Sequence, residues 1–102
     1  MAKPFPLQTL LDLAHNRSDA AALDLGVVNL RLRQTEARLQ LLLDYREDYQ
    51  ARLARAIQSG LDSAGWRNYC EFLDQLEAAI AQQRKLLETS RLEVETGRHN
   101  WQ

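Results

Sequence analysis

The chain is poor in the residues that interrupt helices and in the residue that makes disulfides: its 102 positions include four glycines, two prolines and one cysteine. A single cysteine excludes an intramolecular disulfide and favours a reducing compartment. No run of about 18 apolar residues occurs, so the sequence predicts no membrane-spanning helix. The N-terminus also lacks the apolar segment of a secretory signal, and we therefore expect a cytosolic protein.

The chain also lacks an excess of either charge, because 13 basic and 14 acidic residues leave a formal net charge of −1. Non-specific binding to nucleic acid needs a positive field, so that class of function is disfavoured. His15 and His99 stand alone, Cys70 has no partner thiol, and no glycine-rich phosphate loop is present. We interpret Cys70 as a structural thiol, and the sequence predicts no enzyme, no metal site and no cofactor.

What the chain does contain is a seven-residue apolar repeat, the spacing of a coiled coil. The repeat runs from Trp66 to Trp101 in the second half, and a matching pair of seams runs from Leu11 to Ala56 in the first half. Strong helix formers dominate the composition, so the fold class predicted is all-α. The predicted coiled-coil core comprises Leu25, Val28, Leu32, Leu39, Leu42, Tyr49, Leu53, Trp66, Tyr69, Leu73, Ile80, Leu87 and Val94.

The repeat is broken once, between Gln58 and Gly65. Gly60 suits the position just past a helix end, and Asp62 or Ser63 suits the cap of the next helix. The prediction is therefore a single domain, residues 1–102, that folds as a long antiparallel two-helix coiled-coil hairpin. Helix 1 is expected at about 7–58, the turn at about 59–64 and helix 2 at about 65–101.

The two halves fit one register, in which Val28 faces Val94, Leu25 faces Gly97 and Ala21 faces Trp101. From Ala21 onwards every seam residue then has an opposite seam residue, which favours the hairpin. A parallel homodimer remains the rival architecture, because heptads alone set neither partner nor direction. The leucines from Leu7 to Leu13 find no partner in this register, so we expect the chain to be truncated at the C-terminus.

Two features depart from the regular apolar seam, and each is open to two interpretations. Phe72, Leu76, Ala79 and Gln83 form a stripe on helix 2 that two helices are not expected to cover together with the seam. The stripe is either a flank of the core or a docking surface for another protein, and spacing does not decide. Arg46, at a seam position, either packs its stem with its head in solvent or fixes the register.

The chain resembles the flagellar export protein FliJ family. The resemblance rests on the run Leu42 to Tyr49, on Gly60 at the turn, and on the helix 2 sequence Trp66-x-x-Tyr-x-x-Phe72-Leu-x-x-Leu. The segment from Phe5 to Ala14 resembles the family's N-terminus, so the likeness covers essentially the whole chain. Family members are longer at the C-terminus, which fits the expected truncation.

This resemblance implies a stalk-like antiparallel coiled coil at the centre of the export ATPase ring of the flagellar type III apparatus. The partners it implies are that ring, the cytosolic domain of the membrane export gate, and export chaperones. It places the protein on the cytoplasmic side of the membrane, peripherally and through those partners. It also assigns the gate contact to Phe72, Leu76 and Ala79, with Gln83 as the next position on that face.

Two other functions stay open. One is a structural coiled coil that self-associates through both the seam and the stripe of helix 2, and the other is the equivalent stalk component of a virulence-type secretion system. Sedimentation separates the first from the export role, since a monomer at micromolar concentration supports the hairpin adaptor and a dimer supports the structural protein.

Overall fold

A computed structural model describes the chain from Leu7 to Trp101, except for the side chains at positions 18, 20–23, 100 and 101. It contains two helices, α1 (Leu7–Gln58) and α2 (Ser63–Trp101), and no strand among the described residues. The helices pack side by side as a rod with extents of 91 × 17 × 16 Å. The predicted all-α, antiparallel coiled-coil hairpin is confirmed.

The turn is built by one glycine and one aspartate. Gly60 has a φ of 93°, a left-handed conformation that a side chain would strain. The Asp62 carboxylate accepts a hydrogen bond from the Gly65 N–H at 2.8 Å, which satisfies a backbone donor that has no partner within the helix. Of the two capping candidates that the sequence offers, Asp62 is the one the structure uses.

The core is a narrow seam, with its fully covered apolar residues on α2. A two-helix rod has little interior, so most seam residues are only half-buried. Among the described residues, the buried apolar side chains are Leu76, Ile80, Leu87 and Val94.

Trp66 is a correction to the predicted core, because 49% of its surface is exposed. It lies in the first turn of α2, where the rod ends, and in the predicted register the seam residue opposite it on α1 is the small Ala56. The other predicted core residues are buried or half-buried.

The register agrees with the predicted pairing. A Cβ placed on Gly97 would lie 3.3 Å from Leu25 and 3.5 Å from Val28, so the missing side chain lets the helices approach closely. The predicted pairing of Ala21 with Trp101 lies outside the described side chains.

A buried polar layer crosses the rod in its middle. The Thr35 hydroxyl donates to the Arg31 carbonyl at 2.7 Å and lies 3.4 Å from the Ser90 hydroxyl. The Gln83 amide donates to the Thr35 carbonyl at 3.2 Å. Because buried polar groups are costly when unpaired, these bonds favour the one register that makes them.

Arg46 combines both interpretations of its seam position. Its side chain is half-buried, and its guanidinium donates to the Glu77 carboxylate on the other helix at 3.0 Å. The stem therefore packs in the seam, while the head makes an ion pair that also depends on the register.

Candidate functional site

The four stripe residues of α2 do not share one environment. Leu76 is only 8% exposed and belongs to the core, whereas Phe72, Ala79 and Gln83 are half-buried. The expectation that two helices leave the stripe uncovered is therefore wrong at Leu76. Leu76 is itself a seam residue in the heptad count, so α1 covers it.

Phe72 is held in place by two tyrosines of α1. Its ring centroid lies 4.2 Å from that of Tyr49 and 6.2 Å from that of Tyr45. Tyr49 also contacts Tyr69, with centroids 5.1 Å apart. Such tilted aromatic pairs add specific stabilisation to the area they bury, so the position of Phe72 is well determined.

The exposed apolar surface next to Phe72 comes from α1. Leu41 is 65% exposed and Tyr45 is 53% exposed, one helical turn apart on the same face. A shallow groove beside them is lined by Arg38, Leu41, Leu42, Tyr45 and Gln83. We refer to Leu41, Tyr45, Phe72 and Ala79 as the two-helix patch.

Leu41 and Tyr45, the α1 half of the patch, are not predicted from the sequence, because the predicted stripe lies on helix 2 alone. A signal was nevertheless present. Leu41 and Tyr45 each directly precede a seam residue, Leu42 and Arg46, so they lie on one flank of the α1 seam. In an antiparallel pair, that flank lies beside the flank of α2 that carries Phe72 and Ala79.

The patch is apolar at its centre and charged at its margin. Arg38 lines the groove at one end, and Asp48 forms an ion pair with Arg52 at 3.0 Å beyond Tyr45. Both members of this pair are exposed, so it contributes little to stability. The arrangement, with aromatic and aliphatic side chains inside a charged margin, is typical of a protein-binding surface.

No catalytic or metal-binding constellation accompanies the patch. Among the residues that the structure describes, no group of three His, Cys, Asp or Glu side chains is placed to hold a metal ion. Cys70 is half-buried on α2. Neither helix, over its described length, has a stretch apolar enough to cross a bilayer. The two-helix patch itself offers an apolar surface for binding another protein.

Comparison with known proteins matches residues 2–102 to the family model described as "Flagellar FliJ protein". A protein of Salmonella typhi named "Flagellar FliJ protein" is 36% identical over 101 residues, which cover 99% of this chain and 69% of that protein. A protein of the same name from Escherichia coli strain K12 is 35% identical over the same shares of the two chains.

Proposed function

We propose that this chain, which belongs to the flagellar FliJ family, links the ATPase ring of the flagellar export apparatus to the membrane-embedded export gate. The family itself establishes a flagellar protein with an export-related role, and it is not a family of enzymes. The link between ring and gate is the part we propose.

The observation that carries this proposal is the two-helix patch on the side of a narrow rod. A rod 91 Å long and 17 Å wide has room for two partners at different points along its length. The patch exposes an aromatic and an aliphatic side chain at one of these points, and tyrosine is enriched among the residues that dominate the energetics of protein interfaces. The coupling would be mechanical, because the chemistry stays with the partners.

The gate's cytosolic domain is the partner proposed for the patch. Phe72 and Ala79 supply the α2 contacts, and Tyr45 and Leu41 extend them onto α1. Leu76 and Gln83 contribute indirectly, because Leu76 lies in the core beneath the surface and the Gln83 amide is bound to the Thr35 carbonyl. Export chaperones and a peripheral position at the cytoplasmic face of the membrane, reached through the partners, complete the proposal.

The test is a binding titration with the purified cytosolic domain of the gate. Phe72→Ala and Tyr45→Ala are expected to weaken binding about tenfold or more, as truncation of an interface anchor does. Leu30→Ala on α1 and Leu92→Ala on α2 are the matched controls, since both leucines are exposed outside the patch. Circular dichroism should show near-normal helicity in all four variants. Normal binding by folded Phe72→Ala and Tyr45→Ala chains would remove the patch as the gate site.

One observation favours a second candidate, the self-associating structural coiled coil. Leu7, Leu10, Leu11 and Leu13 are exposed on α1 and form an apolar surface that a second copy could cover. Sedimentation equilibrium distinguishes the two, because the linker role predicts a monomer at micromolar concentration. The virulence-type alternative is not favoured, because the matched family is a flagellar one.

A further inference from the structure

The near-neutral net charge of the chain conceals two oppositely charged levels along the rod. Segments 31–38 and 84–91 lie side by side, as the contacts of Thr35 with Ser90 and of Arg31 with Glu93 show. Together they carry six cations and two carboxylates, a net charge of +4. We call this level the basic belt. Its cations are Arg31, Arg33, Arg38, Arg84, Lys85 and Arg91.

The next level towards the turn, formed by 39–50 and 71–83, has the opposite sign. It carries six carboxylates and one arginine, Arg46, a net charge of −5. The centres of the two levels lie about ten residues apart along α1, which is about 15 Å at 1.5 Å per residue. This is about two Debye lengths at physiological salt, so a partner meets each level as a separate field. We call this level the acidic band.

The cations of the belt are largely unused by the fold. All six are exposed, and among the described ion pairs only Arg31 has a partner, the Glu93 carboxylate at 2.7 Å. Exposed ion pairs contribute little to stability even where they form. The fold therefore gains little from the belt, and its charges remain available to another molecule.

The belt surrounds the rod instead of marking one side of it. In the heptad pattern Arg31 and Arg38 flank the α1 seam on the side of the two-helix patch, whereas Arg84 and Arg91 flank the α2 seam on the opposite side. Arg33 and Lys85 point away from the partner helix. A molecule that docks from one side reaches only part of this set, whereas a ring around the rod reaches all of it.

We infer that the basic belt is the level at which a protein ring with carboxylates in its lumen encloses the rod. The inference rests on the proposed function, in which that ring is the export ATPase, and it adds the level and the charge of the contact. A duplex nucleic acid fits poorly, because laid along the rod it would meet the acidic band. A second copy could set its own acidic band against the belt, and the experiment includes that outcome.

The experiment compares two charge-neutralised chains in binding to the purified export ATPase. One carries Arg33→Gln, Arg84→Gln and Arg91→Gln, which spares Arg38 because it lines the patch groove. The matched control carries Asp44→Asn, Glu47→Gln and Glu71→Gln in the acidic band. The belt variant is expected to bind at least tenfold more weakly than the unmodified chain. It is also expected to lose about half of the salt dependence of binding, because three of the six belt cations remain. The control is expected to bind within about twofold of the unmodified chain.

The outcomes separate this inference from the proposed function. If the unmodified chain binds the ATPase and the belt variant binds equally well, the belt assignment is wrong and the proposed link stands. If the unmodified chain does not bind the ATPase, both are wrong. If sedimentation shows a dimer that the belt variant cannot form, the belt serves a second copy and the assignment is again overturned.

Discussion

The two halves of the rod follow one heptad repeat but pack it differently. The half next to the turn stacks Tyr49 and Tyr69 in its seam with Phe72 on its flank, and leaves all three half-buried. The distal half uses small and polar residues, Ser90 and Gly97 among them, and the helices come close enough to bury Ser90 to 4% exposure.

This difference shows that a two-helix rod can fill its seam with large side chains or can close it by bringing the helices nearer to each other. Large rings fill the space between the helices but extend past its edge, where they create the two-helix patch. Small residues close the seam of the distal half, and exposed apolar side chains there, such as Leu30 and Leu92, lie away from the seam. The packing of the half next to the turn thus determines where its aromatic binding surface lies.

The largest effect on stability is expected when a ring is removed from the aromatic seam of the half next to the turn. Tyr49→Ala removes a half-buried ring that contacts both Tyr69 and Phe72, and we expect it to lower the free energy of unfolding by about 3 kcal/mol. Tyr45→Ala is the matched control and should cost about 1 kcal/mol or less, because more than half of that side chain is exposed. Urea denaturation measures both, and equal losses would show that Tyr49 does not anchor this half.

The distal half depends on its polar layer instead. Thr35→Val removes the hydroxyl that lies 3.4 Å from the buried Ser90 hydroxyl, and the unpaired group should cost about 1–2 kcal/mol. Adding Ser90→Ala should recover most of this loss, since both polar partners are then gone. Thermal unfolding of the two single variants and the double variant gives the coupling. Additive losses would contradict a shared bond.

A change at the turn is expected to affect the two halves differently, because the turn joins the helices at the end of the aromatic half. Asp62→Ala removes the acceptor of the Gly65 N–H bond, and we expect a loss of about 1 kcal/mol. Ser63→Ala tests the other capping candidate and should be nearly neutral. Amide hydrogen exchange should show the loss of protection concentrated near the turn, and a larger effect of Ser63→Ala would contradict the observed cap.

The smallest expected effect is a gain in the distal half. Gly26 lies within α1 with open space around the position of an added Cβ, so Gly26→Ala should stabilise the helix by about 0.5–1 kcal/mol. Hydrogen exchange near Gly26 should slow, while exchange near the turn stays unchanged. An unchanged unfolding midpoint would show that this part of α1 does not limit the stability of the rod.

The sequence predicts the hairpin well because periodicity is a local signal that survives without knowledge of the partner helix. The heptad positions of Ile80, Leu87 and Val94 place them in the core. The prediction that Trp66 is buried is wrong because periodicity does not show where the rod ends. A seam residue at the end of the rod has no neighbouring layer to cover it.

The candidate site is less predictable, because it is made by two helices. Leu76 belongs to the stripe and to the seam by sequence count, and only the packing of α1 shows that the seam takes it. Leu41 and Tyr45 lie beside Phe72 only because of the register between α1 and α2, which the pattern of one helix does not give. Charge levels are hidden similarly, since the basic belt exists only once 31–38 and 84–91 lie side by side.

The central claim is that one rod holds two partners at once, and sedimentation velocity of a fluorescently labelled chain tests it directly. With saturating export ATPase and gate cytosolic domain present together, we predict a labelled species larger than either binary complex. A result in which the gate domain displaces the ATPase from the labelled chain, leaving only binary complexes, would contradict the linking role.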